Sequence, residues 1–340
     1  MSNKLLFIFF SLILVSCVKP KNDCLKTRAA LDIGSGSTKV KIAKVDLCKK
    51  VIIENLYQEE IPIPFKEDLQ LKKSGKDDMF SDEIQEIGFQ EIKKISDKIK
   101  KFSPDTVVGV GTSAFRTANN AIYFFSKIKS EIGINVEIIN QSKEAEVGLY
   151  SVAAVTGKKP EEIIVWDIGG ASMQISTTKD DKFETYLGDV GAISFKDQVI
   201  TQIKKKDLKA VRSPNPLGAK NFDKAVLIAK TDALVKVSSK LKDVIKQKRN
   251  IYGIGGVHSY SVYSQAGGKD NFYTFEQLRN AYPQRVNLTD VEIGGDYAET
   301  EITNMALVLG YMDALEIPVV VILNINLTEG ILVYPEIMAK

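Results

Sequence analysis

Apolar and polar positions along this chain follow two rhythms in alternation. Ala29-Ala30-Leu31-Asp32-Ile33 is an apolar run that closes on an aspartate, and Lys39-Val40-Lys41-Ile42-Ala43-Lys44-Val45 alternates with the period of a strand. Strand, small-residue turn, strand predicts a hairpin from residues 28–33 and 38–46, turning near Gly36. The period then lengthens. Over residues 81–102, Ser81-Asp82 supplies a cap, and Ile84, Ile87, Ile92, Ile95 and Ile99 recur at helical spacings. Thr106-Val107-Val108-Gly109-Val110 reads as a buried strand that runs into Gly111-Thr112-Ser113, with a helical stretch from about Ala118. Val136-Glu137-Ile138-Ile139 is another strand, and residues 142–156 read as a helix with a small, apolar face. Strands in alternation with helices predict an α/β protein.

The strand-turn-strand pattern occurs twice. Ala29-Ala30-Leu31-Asp32-Ile33-Gly34-Ser35-Gly36-Ser37 returns as Ile164-Val165-Trp166-Asp167-Ile168-Gly169-Gly170-Ala171-Ser172, and the second copy is followed by Met173-Gln174-Ile175-Ser176. Two copies imply two related domains facing each other. Glycines in such a turn remove the Cβ and admit unusual backbone angles, so successive N–H groups converge on an anion. That assigns Gly34, Ser35, Gly36 and Ser37 in the first loop, and Gly169, Gly170 and Ala171 in the second, to phosphate oxygens. Asp32 and Asp167 are placed as ligands for a hard divalent cation such as Mg²⁺, which bridges those phosphates.

Length and charge narrow the class. A chain of 340 residues predicts two domains, and 44 % apolar with 26 % charged residues excludes a mostly disordered protein. A net charge of +3 argues against a dedicated nucleic-acid binder. Three cysteines and one histidine leave almost nothing for a zinc cluster or a His-rich metallohydrolase. The single histidine, His258, follows a third glycine loop, Gly253-Ile254-Gly255-Gly256, and reads as a structural residue rather than a substrate contact.

The first residues carry a targeting signal. Lys4 precedes an apolar run from Leu5 to Val15, too short to span a bilayer, and Leu14-Val15-Ser16-Cys17 resembles a bacterial lipobox. The expected layout is a lipoprotein signal peptide over 1–16, a tether over 17–27 beginning at the lipidated Cys17, a first domain over 28–150 and a second over 151–340. The C-terminal segment is free to pack back on the first domain. Acyl chains on Cys17 imply a membrane-anchored, extracytoplasmic protein, and Val18 after the cysteine favours an outer membrane. Disulfides persist outside the cytoplasm, and Cys24 and Cys48 are equidistant from the Gly36 turn, which predicts a Cys24–Cys48 bond.

A small-residue loop between strand and helix, Gly111-Thr112-Ser113, is a second anion-friendly element, so Ser113 joins the phosphate set. Arg116 just beyond it is suited to fork onto phosphate oxygens, the alternative being a surface salt bridge. Glu144 and Glu146 open the helix at 142–156.

In sum the chain resembles the exopolyphosphatase / guanosine-pentaphosphate phosphohydrolase (Ppx/GppA) family. The resemblance rests on Asp32-Ile33-Gly34-Ser35-Gly36-Ser37, Gly111-Thr112-Ser113-Ala114-Phe115-Arg116, Ile138-Ile139-Asn140-Gln141-Ser142-Lys143-Glu144-Ala145-Glu146, Asp167-Ile168-Gly169-Gly170-Ala171-Ser172, Gly253-Ile254-Gly255-Gly256, Tyr273-Thr274-Phe275-Glu276-Gln277-Leu278 and Asn326-Leu327-Thr328-Glu329-Gly330-Ile331-Leu332. It implies two actin-like (ribonuclease H-like) ATPase-superfamily domains facing across a cleft. It implies a phosphoanhydride hydrolase with Glu144 as general base, Glu146 as the alternative, and Gly255 and Gly256 near the phosphates. The chain departs from the family at Gly36, where Asn is usual, and at Gln174, where Glu is usual. Gly169-Gly170-Ala171-Ser172-Met173-Gln174 is closer to the loop of the apyrases, in which Ser and Gln hold the attacking water; this adds Ser172 and Gln174 to the catalytic set.

Residues 201–250 carry fourteen Lys and Arg against four Asp. From about Phe222 to Ile245 the pattern predicts an amphipathic helix whose basic face is either a solvated surface, a track for polyphosphate or a contact for an anionic membrane. The expected partners are therefore a polyphosphate or nucleotide substrate, a membrane through the N-terminal lipid, and a second copy of the chain in a homodimer, with no nucleic acid. Two functions stay open: an Mg²⁺-dependent hydrolase of polyphosphate or nucleoside polyphosphates, and a catalytically weak binding lipoprotein of the same fold. A sugar or acetate kinase is a weaker third.

Overall fold

Two mixed β-sheets organise the chain, and their topologies repeat each other. A computed structural model describes residues 24–247 and 250–338; Cys17, the signal peptide and most of the tether lie outside the described residues. The first sheet contains β1 (Leu25–Ile33), β2 (Ser37–Asp46), β3 (Val51–Pro62), β4 (Thr106–Gly111) and β5 (Asn135–Ile138), in the order β3-β2-β1-β4-β5. The second contains β6 (Ile164–Ile168), β7 (Met173–Lys179), β8 (Lys182–Gly188), β9 (Ile251–Ile254), β10 (Phe272–Thr274) and β11 (Val319–Ile322), in the order β10-β11-β9-β6-β7-β8. In each, the aspartate-bearing strand pairs antiparallel with the strand after its turn and parallel with a later strand: β1 with β2 and β4, β6 with β7 and β9. The motif repeat in the sequence is thus a repeat of topology.

Strand alternation decides where the first aspartate sits. Ala29, Leu31 and Ile33 face one core, built from Ile84, Ile92, Ile95 and Ile99 of the helix Asp82–Lys100 and the rings of Phe65, Phe80, Phe115 and Phe124, while Ile87, expected on the apolar face, is exposed. Ala30, on the opposite face, joins a core with Val147 and Ile331. Asp32 shares the parity of Ala30 and therefore lies on the side of the helix Gln141–Thr156. That helix is filled by small residues because it is wedged between the two sheets. Val147 and Ala154 pack on the first, and Leu149, Val152 and Ala153 pack against Val165, Tyr252 and Ile254 of the second. Its N-cap Asn140 accepts from Lys143 N at 2.8 Å.

The C-terminal helix Leu327–Val333 returns to the first sheet. Glu329 pairs with Lys41, Arg28 donates to the Leu332 carbonyl, and Gly330 N donates to Ser151 Oγ at 2.8 Å. A Cβ on Gly330 would stand 2.5 Å from the Val147 carbonyl oxygen, so the crossing of these two helices depends on that glycine. At the other end of the β1–β2 hairpin from its glycine turn, Cys24 and Cys48 form a disulfide with Cα atoms 5.4 Å apart.

The basic segment differs from the single helix expected. It forms two helices, Ala219–Lys236 and Ser239–Gln247, separated at Val237 and Ser238. The break lets Val237 and then Leu241, Val244 and Ile245 become buried, whereas Leu234 and Val235, expected on the apolar face, are exposed. No helix among the described residues is long and apolar enough to cross a membrane.

Candidate active site

The two glycine turns have the same internal bond. Gly34 N donates to Ser37 O and Gly169 N donates to Ser172 O, both at 2.9 Å. Each turn projects into one cavity of about 480 Å³ between the sheets, whose walls include Asp32, Asp167, Glu144 and the ends of β4 and β9. Asp32 and Asp167 thus share one opening. The second turn is braced from behind, where Ala192 N and Ile193 N donate to the carbonyls of Gly169 and Gly170 at 2.9 and 2.7 Å. Gly255, at φ +84°, lies so near the second aspartate that a Cβ there would stand 2.8 Å from Asp167 Oδ1.

Ser35, Gly34, Gly36, Ser37, Ser113, Gly169, Gly170, Ala171, Ser172, Gly255 and Gly256 all line the cavity. Three residues from the sequence-based set are placed differently. Arg116 is not in the wall. Its guanidinium donates to Glu144 Oε2 at 2.6 Å and to the Ile139 carbonyl at 3.1 Å, so it is engaged with the candidate base rather than presented to phosphate. Gln174 is buried behind Ser172, with Nε2 3.5 Å from Ser172 Oγ, and meets the cavity only through that serine. Glu146 pairs with Lys143 at 2.9 Å and does not reach the wall, because one helical step past Ala145 turns it away. His258 is fully buried outside the cleft, with Nδ1 2.7 Å from Tyr273 Oη and its ring edge-on to Trp166; burial holds its pKa down to about 3.

Lys39 was missed by the sequence reading. It lines the cavity with its ammonium 3.7 Å from Asp32. A signal for it existed, since Lys39 stands seven residues after Asp32, as Gln174 stands seven after Asp167. The strand registers place Lys39 directly across from Asp32 and Gln174 directly across from Asp167.

Asp32, Glu144 and Asp167 are buried together and each is held above the usual carboxylate range. For Asp32 the main cause is burial, opposed by Lys39. For Glu144 it is again burial, opposed by Arg116. Asp167, buried beside Glu144 and Asp32 and with only Lys39 to offset them, is pushed up to about 8. Lys39 is the one cation among the described residues that line the cavity, against Asp32, Glu60, Glu144, Asp167 and Glu301. Buried carboxylates with so little countercharge have the chemistry to take a hard divalent cation, although the oxygens of Asp32, Glu144 and Asp167 do not all lie within 4.8 Å of one another. A phosphate chain would be repelled from this cavity without one. The chemistry of the residues present therefore suits a divalent cation.

Among the described residues, no lysine or arginine of the 201–250 segment is in the wall. Several are paired elsewhere: Lys230 with Asp313 at 2.8 Å, Lys246 with Glu316 at 2.7 Å, and Arg212 with Glu67 of the first domain at 2.7 Å.

A duplicated sheet unit with paired aspartate-tipped turns facing one cleft defines a two-domain actin-like ATPase fold. The fold is shared with the Aquifex aeolicus PPX-GPPA enzyme, at TM-score 0.71 and 19 % identity over 91 % of this chain and 99 % of that one. It is shared also with an exopolyphosphatase from Cytophaga hutchinsonii, at TM-score 0.68 and 17 % identity over 92 % of this chain and 98 % of that one. The Ppx/GppA phosphatase family pattern matches residues 64–335, and the chain belongs to that family. It is 25 % identical over 279 residues to the guanosine-5'-triphosphate,3'-diphosphate pyrophosphatase of Photobacterium profundum, an alignment that takes in 76 % of this chain and spans half the length of that relative.

Proposed function

We propose that the chain is a divalent-cation-dependent phosphohydrolase that removes the terminal phosphoryl group from a phosphoanhydride chain. The observation that carries this is the position of Glu144: a buried carboxylate at the start of a helix, in the wall between two phosphate-loop hairpins, held by one arginine. The loop N–H groups of Ser35–Ser37 and Gly170–Ser172 bind and orient the phosphates, those of Gly34 and Gly169 being engaged inside the turns. Glu144 accepts a proton from a water lying in line with the terminal phosphorus. The water oxygen bonds to phosphorus as the bridging P–O bond breaks, and the shortened phosphate leaves with that bond's electron pair. Ser172, backed by Gln174, positions the water from the other wall. Asp32 and Asp167 would hold a divalent cation, which would supply charge neutralisation at phosphate oxygens. Burial raises the Glu144 carboxyl, which strengthens it as a proton acceptor, and Arg116 opposes that rise.

The test is phosphate release with Mg²⁺ from long-chain polyphosphate, ATP, GTP and guanosine pentaphosphate by wild type and Glu144→Gln. The variant should lose about 10²–10⁴-fold in turnover. Full turnover by Glu144→Gln would refute the base assignment. Binding without hydrolysis in wild type would mark a binding protein, the reading favoured by the Gln at position 174. We also propose that lipid on Cys17 anchors the chain on the extracytoplasmic side of a membrane. Partition into the detergent phase, abolished by Cys17→Ala, is the expected result.

A further inference from the structure

Three charged residues form a row across the first sheet, on the face that lines the cleft. Asp32 on β1 is directly across from Lys39 on β2, and Lys39 is directly across from Glu60 on β3. All three line the cavity. Residues paired in register on adjacent strands share a face, so the row follows from strand pairing alone. The second sheet fills the same row differently. Asp167 on β6 is across from Gln174 on β7, and Gln174 is across from Leu187 on β8. Glu60 therefore stands where the other half of the molecule has a leucine.

Glu60 is engaged with the first turn. Ser37 Oγ donates to Glu60 Oε1 at 2.6 Å, and the charge of Glu60 acts on Lys39. Ser37 is buried, whereas Glu60 is exposed on a strand at the sheet edge. The carboxylate thus reaches in from the rim. It takes a hydroxyl, and shares in the field of an ammonium, that the first wall would otherwise offer to an anion. In the second turn Ser172 Oγ meets the neutral amide of Gln174, at 3.5 Å. A carboxylate and a phosphate oxygen are both acceptors drawn to hydroxyl and ammonium donors. The Ser37 hydroxyl has one proton to donate, so the two compete for it.

We propose that Glu60 is a tethered competitor for the anion position of the first turn, and that it selects phosphoanhydride chains over free orthophosphate there. The proposal deepens the phosphohydrolase reading and rests on it for the place of the phosphates. A chain that reaches both turns gains contacts at Gly170–Ser172, which offset the displacement of Glu60. A single orthophosphate at the first turn has no second set of contacts and is turned away. Glu60 acts through Ser37 and Lys39, and its consequence is weak inhibition by the reaction's own product.

The experiment compares wild type with Glu60→Gln, which keeps an acceptor without the charge, and Glu60→Leu, which copies the second sheet. In the catalytic arm, release of label from terminally radiolabelled ATP and polyphosphate is followed with Mg²⁺ and added inorganic phosphate. The inhibition constant for phosphate should fall about fivefold in Glu60→Gln, as for one partly exposed charge-assisted hydrogen bond, and further in Glu60→Leu. KM for the chain should fall less. The difference should shrink as NaCl is raised, because the carboxylate is at the rim. A KM that falls as much as the inhibition constant overturns the selectivity. In the binding arm, inorganic phosphate is titrated calorimetrically into the same proteins and into Ser37→Ala with and without Glu60→Gln. Binding should tighten in both Glu60 variants, and the gain should be smaller where Ser37 is absent. Unchanged or weaker phosphate binding in both, the result of a merely structural role, overturns the proposal. Tighter phosphate binding in a protein that hydrolyses neither substrate would sustain the competitor while ending the hydrolase reading.

Discussion

Lys39 and Gln174 occupy equivalent places in the two halves of the molecule, each directly across a strand pair from the cleft aspartate of its hairpin. The repeat is symmetric in backbone and asymmetric in charge. Asp32 has a built-in ammonium 3.7 Å away, while the residue across from Asp167 is an uncharged amide buried behind Ser172. The duplicated turns therefore give the cleft one wall with a fixed cation and one wall without.

This asymmetry sets the first prediction. Replacing Lys39 with Gln makes the first wall like the second and removes the one cation in the lining. The carboxylates then attract a divalent ion more strongly, while phosphate loses a fixed positive partner. In phosphate-release assays with Mg²⁺ titrated at fixed substrate, Lys39→Gln should reach half-maximal activity at lower Mg²⁺ and show a raised KM. An unchanged Mg²⁺ midpoint would show that Lys39 does not share the field of Asp32 and Asp167.

Arg116 donates to Glu144 at 2.6 Å in a half-buried setting, and this pair sets the second. Arg116 lowers the Glu144 pKa against burial, which raises it. Without the guanidinium the carboxylate is protonated up to a higher pH. Since the base acts in its ionised form, the acid limb of kcat/KM should move to higher pH in Arg116→Ala, with turnover down about 10–100-fold at neutral pH. A plain rise in KM with the acid limb in place would point instead to direct phosphate contact.

Gly255 provides the third. At φ +84° and with Asp167 Oδ1 and the Ile168 carbonyl 2.8 and 3.0 Å from where a Cβ would sit, Gly255→Ala must displace β9 from the aspartate strand. The cost is about 1–3 kcal/mol in thermal or urea unfolding, with a larger proportional loss of activity because Asp167 moves. Gly36→Ala meets nothing within 4 Å and should be nearly neutral for stability.

His258 makes stability depend on pH. Its folded-state pKa, about 3, lies below the ordinary value near 6.5 because burial disfavours the imidazolium. The unfolded chain therefore binds the proton first. The contribution is fully present above about pH 6.5 and is lost on acidification toward pH 3, at about 1.4 kcal/mol per pH unit. As the single histidine, its ring protons can be followed directly by NMR. They should show no titration from pH 8 to 5 in the folded protein, and a normal midpoint there would contradict its burial.

Removal of the Cys24–Cys48 bridge tests the base of the first hairpin. The bond closes a segment with a sequence separation of 24. The double variant Cys24→Ser/Cys48→Ser should lose about 3 kcal/mol of stability, by the loop-entropy argument, with turnover intact because the turn at Gly34–Ser37 is at the hairpin's other end. Dithiothreitol should bring wild type to the same unfolding midpoint.

Much of this architecture was legible locally. Strand parity and glycine turns are short-range signals, so Asp32 and Asp167 at two strand ends, the cap at Ser81 and the helix carrying Glu144 followed from the residues themselves. The spacing of Cys24 and Cys48 about one turn needed only a hairpin register. Short windows of residues thus specified the repeated unit and the chemistry at its tips, because backbone sterics and side-chain period act over a few residues. Tertiary packing alone decided the rest. Arg116 was drawn to Glu144 because two helices dock beside the end of β4. The basic segment broke into two helices at Val237 because the second core takes in Val237, Leu241 and Ile245. Thr300, Glu301 and Asn304, unmarked by any motif, reached the cavity wall because their helix packs against the turn Val257–Val262. Contacts of that kind depend on burial and electrostatic compensation across the whole fold, and no window of sequence contains both partners.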